Sequence, residues 1–135
     1  MIDVFLLPEK TSVTAKGDSQ AVDISGAANF VFLATLTITR VVEQESMEVT
    51  FYTSADGTTW EAKPVATLAQ KFYVGEYPVL IDLSAAAGVR SLRAHWDVNR
   101  WGRGSTVPDF ECSLRLREVS REALHGAAAE AQTRR

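Results

Sequence analysis

The feature of this sequence that most constrains its fold is a strict alternation of apolar and polar residues in several segments. The clearest is FECSLRLRE, residues 110–118, in which Phe110, Cys112, Leu114 and Leu116 occupy every second position. Because successive side chains of a β-strand point to opposite faces of its sheet, this pattern predicts a strand with one face in a core and the other in water. The residues predicted to point inward in other segments are Phe30, Phe32, Ala34, Leu36, Ile38, Met47, Val49, Phe51, Tyr77, Val79, Ile81, Leu83, Leu92, Ala94, Trp96 and Val98.

Shorter β-like segments bring the predicted total to about eight strands. They cover residues 2–7, 13–15, 21–24 and 66–74. The long segment that begins at Phe30 loses its alternation near Arg40, where we expect a bulge or the end of the strand. No helical periodicity separates these segments. The sequence therefore predicts an all-β domain over residues 1–118, an antiparallel β-sandwich of jelly-roll type.

The last residues differ from the rest in composition. Residues 119–135 are rich in alanine, and Ser120 is a plausible N-cap, which together predict a short C-terminal helix. Leu124 is its only large apolar residue, and Gly126 weakens it by about 1 kcal/mol relative to alanine. Such a helix is marginal alone in water, so we expect it to fray or to dock on another chain.

The composition limits the chemistry that the chain can perform. The 135 residues contain one cysteine and two histidines, which excludes an internal disulfide and any recognisable zinc-binding spacing. A formal net charge of -3 disfavours general binding of nucleic acid. The N-terminal sequence MIDVFLLPEK lacks the features of a signal peptide, so we expect synthesis in the cytoplasm and no membrane partner. We also expect no cofactor.

The residues with catalytic potential form no recognisable motif. Cys112 falls on the inward face of its strand, where we expect a small core residue, and His95 falls on an outward face. Glu43, Glu45 and Glu48 would serve acid-base catalysis only if one of them were desolvated. Their polar surroundings predict an exposed acidic loop or strand rim instead. We therefore expect a protein that is not an enzyme.

Charged residues are divided unevenly along the chain. Residues 40–62 contain five carboxylates against Arg40 alone, whereas residues 89–117 contain six arginines against three carboxylates. Charged residues distributed in this way often do no more than keep a surface in contact with water. Patches of opposite charge also suit head-to-tail contacts between copies of one subunit. We predict an interface with further copies or with a larger particle, and its candidate residues are Glu43, Glu45, Glu48, Arg93, Arg100, Arg103, Arg115, Arg117 and Leu124. A competing use of Arg93, Arg115 and Arg117 is a site for an anion.

Three aromatic residues point to an alternative function. Trp60, Trp101 and Tyr73 lie in or beside predicted loops, where rings can stack on sugars, so the second hypothesis is a carbohydrate-binding module. In YTSADGTTWEAKP, residues 52–64, the Asp56-Gly57 pair supplies a turn with positive φ before Trp60. We expect Trp60 to close the end of the sandwich rather than to bind a ligand.

The order of a long strand, the turn FYTSADGTTW and the segment VLIDLSAAAGVRSLRAHW resembles small β-sandwich proteins of tailed phages and prophages. The matching positions, within residues 30–118, are Ser54, Asp56, Gly57, Trp60, Asp82, Leu83, Ser84, Arg90 and Arg93. The resemblance implies a non-enzymatic accessory or decoration component of a phage particle, located in the virion. It does not extend to the predicted C-terminal helix.

Overall fold

A computed structural model of the chain describes residues 2–42, 44–86, 88–101 and 107–120. Its nine strands are β1 (Asp3–Val13), β2 (Gly17–Asp18), β3 (Val22–Asp23), β4 (Val31–Arg40), β5 (Glu45–Ser54), β6 (Ala66–Lys71), β7 (Gly75–Asp82), β8 (Ser91–Arg100) and β9 (Phe110–Glu118). The first sheet has the strand order β1-β9-β4-β7. The second has the order β2-β8-β5-β6, and β3 also pairs with β8. All these pairings are antiparallel, which confirms the prediction of an all-β sandwich.

Side chains on the inner faces of both sheets form one hydrophobic core. The alternation is clearest in β9, where every second side chain from Phe110 to Leu116 is buried and the intervening ones are exposed or half-buried. The predicted inward residues that are buried in the core are Phe32, Ala34, Leu36, Ile38, Met47, Val49, Phe51, Ile81, Leu83, Leu92, Ala94, Phe110, Cys112, Leu114 and Leu116. The others pack against it half-buried. Most of the core was therefore predictable from the period-two pattern.

The first strand departs from its predicted boundaries. The sequence predicts separate strands at residues 2–7 and 13–15, whereas the structure has one strand, Asp3–Val13, paired with β9. Its register shifts on both sides of Leu7, and Leu6 and Leu7 are both buried. Consecutive residues of a regular strand cannot both face the core, so the bulge is what brings both leucines inside.

Two local features predicted from the sequence are confirmed. The register of β4 against β9 shifts between Ile38 and Arg40, where the alternation fails. In the turn after β5, Gly57 has a φ of 81°. The Asp56 carboxylate accepts hydrogen bonds from the backbone N–H groups of the two residues after Gly57, at 2.8 and 2.7 Å. These backbone bonds hold the pKa of Asp56 well below its usual range.

The segments outside the strands gather at the two ends of the sandwich. The Glu118 end contains residues 24–30, 55–60, 83–86, 88–90 and 119–120. The Glu45 end contains residues 14–16, 41–42, 44, 72–74, 101 and 107–109. Each end is named after a buried carboxylate, which binds backbone groups of the loops there.

Glu118 is the last residue of β9 and is only 2% exposed. Its Oε1 accepts a hydrogen bond from the N–H of Ile2 (3.3 Å), and its Oε2 accepts bonds from the N–H groups of Ala28 and Asn29 (both 2.7 Å). One side chain thereby joins the start of the chain to the loop before β4. Burial raises the pKa of Glu118, but the three backbone hydrogen bonds outweigh it and hold the pKa below its ordinary value.

Glu45 has the same role at the opposite end and is 1% exposed. Its Oε1 accepts a hydrogen bond from the N–H of Asp109 (2.7 Å), and its Oε2 accepts one from the N–H of Val42 (3.0 Å). The sequence predicts an exposed rim position for Glu45, and this prediction is wrong. Backbone N–H groups buried at the end of a sandwich need an acceptor, and this carboxylate supplies it.

Within the residues that the structure describes there is no helix, and hence none long and apolar enough to cross a membrane. The predicted C-terminal helix, including Leu124, falls on residues 121–135, which lie outside the described ranges. The predicted boundary after residue 118 stays a prediction.

We expect Glu118→Gln to lower the free energy of unfolding by about 1–3 kcal/mol, because a neutral amide offers one acceptor to three N–H groups removed from water. Urea unfolding followed by tryptophan fluorescence measures this. The difference between the two proteins should be constant above about pH 5 and shrink as the pH falls through the lowered pKa of Glu118. A carboxylate whose pKa is depressed by folding stabilises the folded state only while it is ionised.

The matched control is Glu61→Gln, which changes an exposed glutamate in the β5–β6 connection. Its effect should stay within about 0.5 kcal/mol. Equal stabilities of the Glu118→Gln and Glu61→Gln proteins would contradict the assigned role of Glu118.

Candidate functional site

Arg93 and Trp60 form a contact on the outer face of the second sheet. Arg93 lies between two buried residues of β8 and so points outward, and its guanidinium carbon is 4.4 Å from the ring centre of Trp60. Trp60 also forms an isolated bridge with Ser54 at the end of β5. The tryptophan lies at the end of the sandwich, where the sequence predicts it, but its ring packs under an arginine on the outer face of the sheet and is not among the side chains that pack against the core. The contact fixes the return of the turn onto the sheet.

The outer face of the first sheet carries a groove of about 700 Å³. Thr35, Thr37, Arg115 and Arg117 are among its lining residues. Arg115 donates two hydrogen bonds to the carboxylate of Asp3, at 2.8 and 2.6 Å. This pairing lowers the pKa of Asp3 and raises that of Arg115. The charge of Arg115 is thus already partnered within the chain.

The structure does not bring the candidate arginines together. Arg93 lies on the outer face of the second sheet, whereas Arg115 and Arg117 lie on the outer face of the first. Packed sheets are about 10 Å apart, and their outward side chains point away from each other. The prediction that these three arginines form one anion site is therefore wrong.

The acidic and basic halves of the sequence do not become two faces of the molecule. β5 carries Glu45 and Glu48 and pairs along its length with β8. In that register Glu48 lies opposite Asp97, and Glu45 lies opposite Arg100. Residues from the two halves of the sequence therefore lie side by side on neighbouring strands of one sheet. The sequence predicts that the acidic face of one copy attracts the basic face of the next. Among the described residues there is no such pair of faces.

The remaining interface candidates have different surroundings. Arg100 is half-buried at the Glu45 end, where its Nη1 donates a hydrogen bond to the carbonyl oxygen of Val107 (3.2 Å). Glu43, Arg103 and Leu124 fall outside the described residues. Their place in an interface stays a prediction.

The three predicted sugar-stacking residues lie at different ends of the sandwich. Trp60 is at the Glu118 end, whereas Tyr73 and Trp101 are at the Glu45 end. The ten residues of β8 run between the two tryptophans and separate them by roughly 30 Å. The three rings therefore do not form one platform for a sugar chain.

Phe72 completes an aromatic group at the Glu45 end that the sequence analysis missed. Its ring centre is 6.1 Å from that of Trp101, at an interplanar angle of 76°, and 6.3 Å from that of Tyr73. With Val41 and Val42, these rings line a cleft of about 450 Å³. The sequence does contain a signal for this group. Residues 72–74 are three consecutive large apolar residues, which break the alternation and so mark the end of β6 rather than its continuation.

The two residues with the greatest catalytic potential are engaged within the fold. Burial raises the pKa of Cys112 to about 12, and the prediction that it is a small core residue is confirmed. His95 lies on the outer face of β8, with Nδ1 2.8 Å from Asp18 and Nε2 3.3 Å from Asp97. The first of these contacts joins β2 to β8. In the described part of the chain, no three His, Cys, Asp or Glu residues are grouped to hold a metal ion.

Neither a protein-family model nor a curated protein matches the sequence. The fold is similar to a chain in the solved structure of infectious bursal disease virus, Gx strain, with a TM-score of 0.55 and 12% identity over 85% of this chain. A structure of the Gt strain matches the same share at 12% identity with a TM-score of 0.42. This chain spans 32% and 29% of the lengths of those chains.

At this identity the likeness shows the fold alone. The virus infects animals and is not a tailed phage, so the likeness supports the fold that the sequence predicts but not the specific resemblance to phage proteins.

We expect Arg93→Ala to lower the free energy of unfolding by about 0.5–1 kcal/mol, because it removes the cation–π contact with Trp60. A double-mutant cycle with Trp60→Ala, measured by urea unfolding, isolates the energy of the pair. Arg117→Ala is the matched control, since that arginine is exposed, and it should change stability by less than about 0.5 kcal/mol. A coupling energy of zero between Arg93 and Trp60 would refute the contact.

Proposed function

We propose that this chain is a non-enzymatic structural subunit of a virus-like particle, which works by contact with copies of itself or with a larger protein assembly. The observation that carries the proposal is the order of the strands in the two sheets. The contacts of individual side chains then favour this role over the alternatives.

The strand order supports a jelly roll. When β2 and β3 are counted as two parts of one interrupted strand along β8, each sheet has four strands, in the orders β1-β9-β4-β7 and β2/β3-β8-β5-β6. A jelly roll is an eight-stranded pair of sheets made of two Greek keys, and it is used by viral capsid proteins and lectins. The likeness in fold to a chain of infectious bursal disease virus supports the same class.

An accessory or decoration role is the finer form of the proposal, and it comes from the resemblance to phage proteins. Several residues that carry the resemblance build turns. The Ser54 hydroxyl donates a hydrogen bond to the carbonyl oxygen of Thr59 (2.6 Å), and the Asp82 carboxylate accepts bonds from the N–H and hydroxyl of Ser84 (2.9 and 2.6 Å). Because these residues shape the backbone, the resemblance supports a shared fold more than a shared ligand.

The positions of the aromatic residues favour a structural role over sugar binding, although lectins also use this fold. Trp60 is separated from Trp101 and Tyr73, and one of its faces is covered by Arg93. The buried thiol of Cys112 supports a role without covalent catalysis.

The proposal is tested on particles from the organism that carries the gene. Particles are separated from cell lysate on a density gradient, imaged by electron microscopy and analysed by quantitative mass spectrometry. We expect this chain in the particle fractions, at a constant ratio to the most abundant particle protein across the peak. A constant ratio is the property of a built-in subunit, whereas a trapped soluble protein varies from fraction to fraction.

A wash at high salt serves as the control for adsorbed protein, because salt screens contacts between exposed charges. The chain should remain with the particles after the wash. Its recovery only in the soluble fractions, while intact particles are present, would overturn the proposed function.

A further inference from the structure

Exposed apolar side chains are concentrated at one end of the molecule. Among the described residues, the large apolar side chains with high exposure are Phe5, Val65, Phe72, Tyr73, Val74, Trp101 and Val107. Five of these seven lie at the Glu45 end. Single exposed apolar residues are common on soluble proteins, but a contiguous group of them marks an interaction site. We name Phe72, Tyr73, Trp101, Val41 and Val42 the apolar patch.

The geometry of the apolar patch suits protruding side chains better than sugar rings. Phe72 is inclined at 54° to Tyr73 and at 76° to Trp101, so the rings form the walls of a cleft rather than a flat stacking surface. The polar residues that line the cleft are Gln44 and Glu45. Both carboxylate oxygens of Glu45 already accept backbone hydrogen bonds, so few groups remain for sugar hydroxyls.

The charge around the cleft is compatible with contact between identical surfaces. Glu45, the one charged residue among the described residues that line the cleft, is 1% exposed. A twofold contact brings a surface against a copy of itself, so exposed charges of one sign would repel each other there. The apolar patch avoids this repulsion, whereas the groove of the first sheet is lined by several charged side chains.

The area of the apolar patch also fits a contact between two copies. Exposed fractions of 40%, 74% and 52% for the three rings leave roughly 250–400 Å² of aromatic surface on each copy. Two copies together therefore contribute roughly 500–800 Å². A small specific interface buries about 1,200 Å², of which roughly 56–65% is non-polar. The rings alone therefore supply most of the apolar area that such an interface requires.

We propose that the apolar patch of one copy packs against the apolar patch of a second copy in a twofold-symmetric pair. The inference rests on the proposed function, because it names a second copy as one of the partners through which the subunit assembles. Tyr73 and Trp101 are the central contacts, since they are large, exposed and of the residue types that dominate binding energy at interfaces.

Sedimentation equilibrium of the purified full chain tests the pairing at protein concentrations from about 1 μM to 1 mM. We expect the mass to rise from one copy to two. The double variant Tyr73→Ser/Trp101→Ser should raise the dissociation constant at least about 30-fold. High salt should leave the pair intact or strengthen it, because the contact is apolar. Thermal unfolding of the variant checks that it is folded.

Phe5→Ser is the matched control, because Phe5 is 45% exposed but lies on the outer face of the first sheet. It should leave the dissociation constant unchanged. A wild-type chain that stays monomeric throughout would overturn the pairing, as would equal dissociation constants for the wild type and the folded double variant. Neither result would exclude the chain from particles, so the pairing and the proposed function fail separately.

Discussion

The structure depends on two buried carboxylates that satisfy backbone N–H groups where the chain crosses between the sheets. Inside each sheet the backbone groups pair with neighbouring strands, but at the ends of a sandwich the crossing loops have no such partners. A carboxylate has two oxygens and can accept several hydrogen bonds at once. Glu118 binds three N–H groups at one end, and Glu45 binds two at the other. These bonds fix the loop before β4 at one end and the segments before β5 and β9 at the other.

This constraint bears on function because Glu45 also lines the cleft of the apolar patch. Its bonds to Val42 and Asp109 hold the segments that precede β5 and β9 in place, and Val42 is part of the patch. A backbone segment that is already held in place loses little conformational entropy when it binds. The same residue thus satisfies buried backbone groups and holds Val42, one residue of the surface that we propose for pairing.

Many charged side chains on the outer faces are used within the chain itself. Arg115 binds Asp3, Arg93 covers Trp60, and Arg40 binds Asp109 at 3.2 Å. Exposed ion pairs of this kind contribute little to stability, and they leave less charge for a partner. The charged faces, which dominated the expectations from sequence, are therefore weaker candidates for an interface than the apolar patch.

The order of apolar and polar residues was enough to predict most of the strands, most of the core and the turn chemistry. Phe110 to Leu116 and Met47 to Phe51 alternate because a strand has a period of two, and Asp56-Gly57 marks a turn because glycine allows positive φ. Which distant residues come into contact followed from the pairing of the strands in three dimensions, and not from the sequence pattern. The burial of Glu45, the contact of Arg93 with Trp60, and the grouping of Phe72 with Trp101 depend on how β5 pairs with β8 and where β6 ends. Local periodicity records which face of a strand is buried, but it carries no information about which strand lies beside it.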